Sequence, residues 1–153
     1  MFLNNIESLY SVKHPSQYRK LCAQLGDTDL QEADCCSSRA DFISDIETFW
    51  SVNVRVGRQQ WGDYERAIVG KEHPKDKNIL WGGILPFFFN DDDNVIFGFS
   101  SNGSVNDDAV LVWSVHTIVY SYHSLSVFIE KYLSHCIHVQ PHLLRRIQLA
   151  LYL

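Results

Sequence analysis

Between Asn78 and Glu130 the chain contains no lysine and no arginine, although six carboxylates fall inside that stretch: Asp91, Asp92, Asp93, Asp107, Asp108 and Glu130. Phosphate backbones are held by clustered Lys and Arg, so a surface built from this segment repels nucleic acid. Its complement is a basic protein surface. A second acidic region, Asp27 to Glu47, sets seven carboxylates against Arg39 alone.

Long apolar runs are missing too. None approaches the roughly 20 residues of a membrane span, and "MFLNNIESLYSVKHP" lacks a basic region followed by an apolar one. The expectation is a soluble, unexported, cytoplasmic protein that makes no membrane contact. Cysteine is scarce: Cys22, Cys35, Cys36 and Cys136 include a vicinal pair and no C-x-x-C, which fits reduced thiols in a cytoplasm. Also absent are a Gly-x-Ser-x-Gly elbow, a glycine-rich phosphate loop and any signature around a cysteine. Catalysis therefore has no positive support in the sequence.

Aromatic residues, by contrast, are plentiful. Nine Phe, seven Tyr and four Trp in 153 residues, with 46% hydrophobic and 20% charged residues, describe a globular chain with a ring-rich core or binding face. The length suits a single domain spanning 1–153.

"HPSQYRKLCAQLG" predicts a short helix, with Pro15 near its first turn, Tyr18, Leu21, Cys22 and Leu25 on one face, and Gly26 as the stop. "SRADFISDIETFW" places Phe42, Ile43, Ile46, Phe49 and Trp50 on one helical face and predicts a second helix. "SVNVRVG" alternates as a half-buried strand does, and a polar connection follows through "KEHPKDK".

A run of strands comes next: "ILWGGILPFFF", "NVIFGFS", "AVLVWSV" and "TIVYSY", separated by "NDDD", "SNGSVNDD" and a short break at His116. Short connections favour antiparallel neighbours. Gly82, Gly83 and Pro86 mark the first of these strands as bent, bulged or at an edge. Trp113 is expected to be buried, with Val110 and Val112 dividing between the two faces. "SLSVFIEKYLSHC" keeps helical spacing for three turns behind a Ser124 cap, its Leu125 and Phe128 face covering the sheet. "PHLLRRIQLALYL" predicts a last helix burying Leu143, Leu144, Ile147 and Leu151. The expected fold is α+β: a bent, mostly antiparallel sheet of about five to six strands flanked by N-terminal and C-terminal helices.

Two clusters invite a metal. The Asp91, Asp92, Asp93 run fails as an EF-hand, because its sixth and twelfth positions hold Ile96 and Asn102 in place of Gly and Glu. His135, Cys136, His138 and His142 lack a second Cys/His pair nearby, and Pro141 interrupts them. No metal and no cofactor is implied.

The segments "WGGILPFFFNDDD", "NVIFGF", "AVLVW" and "SLSVFIEKYL", preceded by "IESLYSVKHPSQYRKLC", resemble in their order the SUKH superfamily, from about Ile6 to Leu133. The resemblance implies an α+β domain that works by interaction: bacterial members are immunity proteins that neutralise a cognate toxin, and fungal relatives regulate cell-wall synthesis. Asn94 after Asp93, and Ser114 after Trp113, depart from the family's pattern, so only position and chemical character carry over. The expected partner surface is Asp91, Asp92, Asp93, Asp107 and Asp108, with Phe88 as a ring anchor, facing a protein toxin with a basic surface. Oligomeric state is open. The alternatives are a regulatory scaffold of the same superfamily, or a small metal-dependent hydrolase.

Overall fold

A computed structural model describes residues 2–26, 40–43, 84–90, 92–93, 95–100, 103–114, 117–136 and 139–152. The strand expected at Ser51–Gly57, the polar connection after it, Trp81, Gly82, Gly83, Asp91, His138, Cys35 and Cys36 lie outside these residues, as does most of the Asp27–Glu47 region.

The N-terminal residues fold as α1 (Phe2–Tyr10), for which no element was predicted, and α2 (Ser16–Leu25). Leu3, Ile6 and Tyr10 bury one stripe of α1. In α2 the expected face, Tyr18, Leu21, Cys22 and Leu25, is buried. Gly26 ends the helix at φ 81°, a left-handed region that glycine enters without strain, and donates its N–H to Cys22 O at 2.8 Å.

Five antiparallel strands pair in chain order: β1 (Ala40–Phe42), β2 (Ile84–Asn90), β3 (Val95–Ser100), β4 (Val110–Ser114) and β5 (Thr117–Tyr122). Four of them are full strands and β1 has only three residues, so the expected five to six strands slightly exceed the four full ones among the described residues. The meander from β2 to β5 follows the four predicted runs.

Helix α3 (Leu125–Lys131), a 3₁₀ turn (Leu133–His135) and α4 (Pro141–Tyr152) complete the chain. The α+β class holds.

Three expectations need correction. Ala40–Phe42 is a strand, not the start of a helix: it pairs with β2 through Ala40 opposite Asn90 and Phe42 opposite Phe88, and Ile43 N–H reaches Phe87 O at 2.8 Å. Helical spacing of apolar residues is a local signal, and pairing with a distant strand overrides it here.

Helix α3 is shorter than the three predicted turns. The Ser134 hydroxyl donates back to Glu130 O, a contact that competes with the helical ladder, and the chain tightens into the 3₁₀ turn. Val110 and Val112 do not divide between faces. They stand two residues apart on a regular stretch of β4, so the pleat puts both on the face that α3 covers, opposite Tyr122 and Tyr120.

That face is filled with rings. The register shifts between Pro86 and Phe88, leaving Phe87 as the extra residue of a bulge where Pro86 was expected to disturb the strand. The bulge suspends the alternation that would have sent Phe87 and Phe88 to opposite sides. Both rings therefore meet Phe128 of α3, at 5.5 and 6.1 Å between centroids, while Phe87 stacks on Phe99 at 4.4 Å. Tyr18 of α2 closes the same layer against Phe87 and Phe99 at 5.0 and 5.3 Å. α4 packs behind, against α2 and α3, and buries Leu143, Ile147 and Ala150. The reverse face of the sheet is buried as well, with Phe89, Ile96 and Trp113 lying side by side in the register.

Gly98 shows how closely the sheet is packed. A Cβ there would stand 2.2 Å from Ile84 Cγ2 and 2.8 Å from the Leu85 carbonyl oxygen, and the latter cannot swing away. Gly98→Ala should therefore lower the melting temperature by several degrees or more, as overpacking costs about 1–3 kcal/mol. Phe128→Ala should cost about 3–5 kcal/mol, enough to unfold a marginal domain. A thermal melt within a degree or two of wild type for either variant would show that the layer is looser than this packing requires.

Candidate functional site

The two acidic loops leave opposite ends of β3, as a meander demands: residues 91–94 join β2 to β3, and residues 101–109 join β3 to β4. Helix α3 holds the first loop beyond its C-terminal end and the second at its N-terminus.

At the first loop, Asn90 is 5% exposed and uses both ends of its amide. Its Oδ1 accepts the Asp92 and Asp93 backbone N–H groups at 3.0 and 3.4 Å, an Asx turn that shapes the tight connection. Its Nδ2 donates to Asp93 Oδ2 at 3.1 Å and to the Tyr132 hydroxyl at 2.8 Å, and Cys136 Sγ lies 3.8 Å away. Tyr132 donates in turn to Asp93 Oδ2 at 2.5 Å. Burial, reinforced by that bond to a carboxylate, pushes the Tyr132 hydroxyl far above its ordinary value, so it remains a donor. Asp93 is thereby engaged from within the protein. Both Asp93 and Asp92 beside it are exposed.

At the second loop, Asp108 Oδ2 accepts the Leu125 N–H at 3.1 Å, and Ser124 Oγ accepts the Val127 N–H at 3.2 Å as expected of its cap. Two side chains thus satisfy the start of α3. Asp107 Oδ1 accepts the Ala109 N–H at 3.2 Å and the residue stays exposed. The loop is also tied to α2, because Ser16 donates both its backbone N–H and its hydroxyl to Val105 O, at 2.7 and 3.0 Å.

The expected contact residues therefore separate. Asp92, Asp93 and Asp107 are exposed and Asp108 is half-buried, while Asp93 and Asp108 also accept the bonds that fix the loops to α3 and its terminal tyrosine. Phe88, proposed as a ring anchor beside the acidic turn, is 0% exposed and packs on Phe42, Phe97 and Phe128. It is a core residue, because β2 is buried on both faces at every position and the bulge sets this ring on the α3 side. Asn90 and Tyr132 were missed. The Asx turn had a local signal in "NDDDN", whereas a contact spanning 42 residues has none.

A second polar cluster clasps α1 to α2. Glu7, 8% exposed, accepts the His14 backbone N–H at 2.8 Å and lies 3.0 Å from His14 Nδ1, while its other oxygen accepts from Arg19. A carboxylate beside an imidazole is a familiar acid–base pair, but His14 is 1% exposed and edged by the Tyr18 ring at 5.4 Å. Without access to a substrate it acts as a structural clasp. Burial works to raise the Glu7 carboxyl, yet the bonds from His14 and Arg19 outweigh it and hold the group below its usual value. Burial depresses His14, against the pull of Glu7.

Among the described residues, no three His, Cys, Asp or Glu side chains are placed to hold a metal ion. His135 and His142 are exposed and Cys136 is half-buried, with His138 outside the described residues. No helix among them is long and apolar enough to cross a membrane.

No family model, no curated protein and no solved structure matches the chain. The site is therefore read from its own chemistry.

Two outcomes follow from that chemistry. Asp108→Ala should lower stability by about 1 kcal/mol by removing an acceptor at the start of α3, whereas Asp107→Asn should leave the melt unchanged. Equal melts for Asp108→Ala and wild type would remove the strut assigned to that carboxylate.

Glu7 and His14 both hold depressed values in the folded protein, so the unfolded chain binds more protons and acid disfavours folding. The contribution of His14 is complete above 6.5 and is lost as the pH falls through its lower folded value; that of Glu7 is complete above 4.5 and is lost below it. Melting temperature should fall from pH 7.5 toward about pH 5, and His14→Gln should flatten that segment. An unchanged slope in His14→Gln would contradict the assignment.

Proposed function

We propose that this protein is a binding module of the SUKH type, acting in the cytoplasm as an immunity protein that blocks a cognate toxin stoichiometrically and without catalysis. The observation that carries the reading is the pair of exposed carboxylates, Asp92 and Asp107, on loops pinned to the two ends of one helix. Pinned loops present charge in a fixed arrangement, which reduces the ordering cost of association. The order of segments resembling the SUKH superfamily adds the class of partner.

Because the loops leave opposite ends of the sheet, a partner that engages both must run along a face or an edge. The footprint is extended, and the attraction is electrostatic steering toward a basic surface. A regulatory scaffold would use the same surface, so the partner's identity separates the two roles.

The first test is co-expression with the toxin domain encoded immediately upstream: rescue of growth is expected, and a metabolic operon in that position would contradict the immunity role. The second test is kinetic. Stopped-flow binding to that toxin at two ionic strengths should show the Asp92→Asn/Asp107→Asn variant associating about three- to tenfold more slowly, with a flatter salt dependence and a smaller change in dissociation. An association rate equal to wild type would discard the acidic loops and direct attention to the Asp27–Glu47 region.

A further inference from the structure

The clasp of Glu7, His14 and Arg19 lies outside the surface proposed above, and its charges balance as it stands. The Glu7 carboxylate accepts from Arg19 on Oε1, while Oε2 accepts the His14 backbone N–H at 2.8 Å and lies 3.0 Å from Nδ1 of the neutral ring. A second ring proton would put a net positive charge where His14 is 1% and Glu7 8% exposed, and a buried charge without a counter-charge is strongly disfavoured. Tyr18 of α2 sets its ring edge-on to His14 at 5.4 Å, and the charged groups that act on the imidazole are Glu7 from α1 and Arg19 from α2. Among the described residues, no second carboxylate stands by to balance the added charge.

Two residues separate that ring from the anchor of the second acidic loop. Pro15, its φ held at −57° by its own ring, connects His14 to Ser16. Ser16 donates both its backbone N–H and its hydroxyl to Val105 O. The loop is lightly held: residues 103–107 are exposed, and its own turns rest on Gly103 N–H to Ser100 O at 3.3 Å and Asp107 N–H to Ser104 O at 3.0 Å. Segments with so few buried contacts open at a smaller cost than the core. Whatever displaces His14 therefore displaces the group that ties the loop to α2.

We infer that the clasp is a proton-operated latch: a second proton on the His14 ring drives it out of its site, the α1–α2 junction opens, and Ser16 releases the loop that carries Asp107. The rest of the fold stays in place, because Asp108 still accepts the Leu125 N–H and the strands remain paired. His14 is held below 6.5, so the latch is closed above that value and opens as the pH falls through the lower one. Glu7, held below 4.5, adds its own loss only in stronger acid. A partner that meets Asp107 would then bind more weakly in acid; that consequence rests on the proposed function, and the latch itself does not.

Amide hydrogen exchange of the whole chain, read by NMR at a series of pH values and corrected for intrinsic rates, tests the latch. From about pH 7.5 to about pH 5 the Ser16 and Asp107 amides should lose protection by about tenfold or more, with a midpoint that matches the titration of the His14 ring carbons. The paired amides of β3 and β4, and the Asp92 amide in the other loop, should keep theirs. His123, His135 and His142 are exposed on other segments, and His14→Gln separates their effects. Its side-chain amide can still donate to Glu7 but takes up no proton, so the loss should vanish. Unchanged protection of Ser16 and Asp107 across that range, a loss shared equally by β3, β4 and Asp92, or a loss that persists in His14→Gln would each overturn the inference. Should that variant not fold, the wild-type protein decides alone, and a midpoint that departs from the His14 titration overturns it. None of these measurements contains the toxin, so their outcome is separate from that of the immunity role.

Discussion

The ring of Phe128 lies within 4.8–6.1 Å of five others: Phe87, Phe88, Phe97, Tyr122 and Tyr132. Those rings come from β2, β3, β5 and the residue that ends α3, so one side chain fixes the helix across three strands. Aromatic pairs of this kind add about 0.5–1.5 kcal/mol each beyond the area they bury. Their geometric consequence matters more. With α3 immobile on the sheet, its N-terminus must sit at Asp108 and its last turn at Asn90 and Asp93, which are the two loops that carry the acidic residues.

The aspartates overlap in their roles. Asp93 and Asp108 accept hydrogen bonds from α3 and its terminal tyrosine, and Asp92, Asp93 and Asp107 are exposed. The binding reading rests on the exposed carboxylates, with the half-buried Asp108 as a support. The clasp of Glu7, His14 and Arg19 stands apart from this surface. It orders α1 on α2, and through Tyr18 it adjoins the aromatic layer.

How much of this was legible beforehand depends on the range of the interaction. The four strands of the meander, the Gly26 stop, the Ser124 cap and the buried face of α2 were all readable, because alternation, turn residues and caps are local signals. Phe88 was misread because β2 is buried on both faces, which its own alternation does not announce, and the bulge after Pro86 only decides which layer each ring joins. Ala40–Phe42 was misread because its partner, Phe88–Asn90, is far away in sequence. At the candidate site, the charge was visible and its division of labour was not, since Tyr132 and Leu125 meet their aspartates 39 and 17 residues away.

Hydrogen exchange in a Phe128→Leu variant tests most directly whether this ring layer holds both acidic loops. The substitution removes the ring while keeping a large apolar side chain, and exchange reports local opening amide by amide. If the layer governs the loops, the Asp92 amide at one end and the Leu125 and Ser16 amides at the other should all exchange faster, and together. Faster exchange restricted to α3, with the Asp92 and Ser16 amides as protected as in the wild type, would contradict the account.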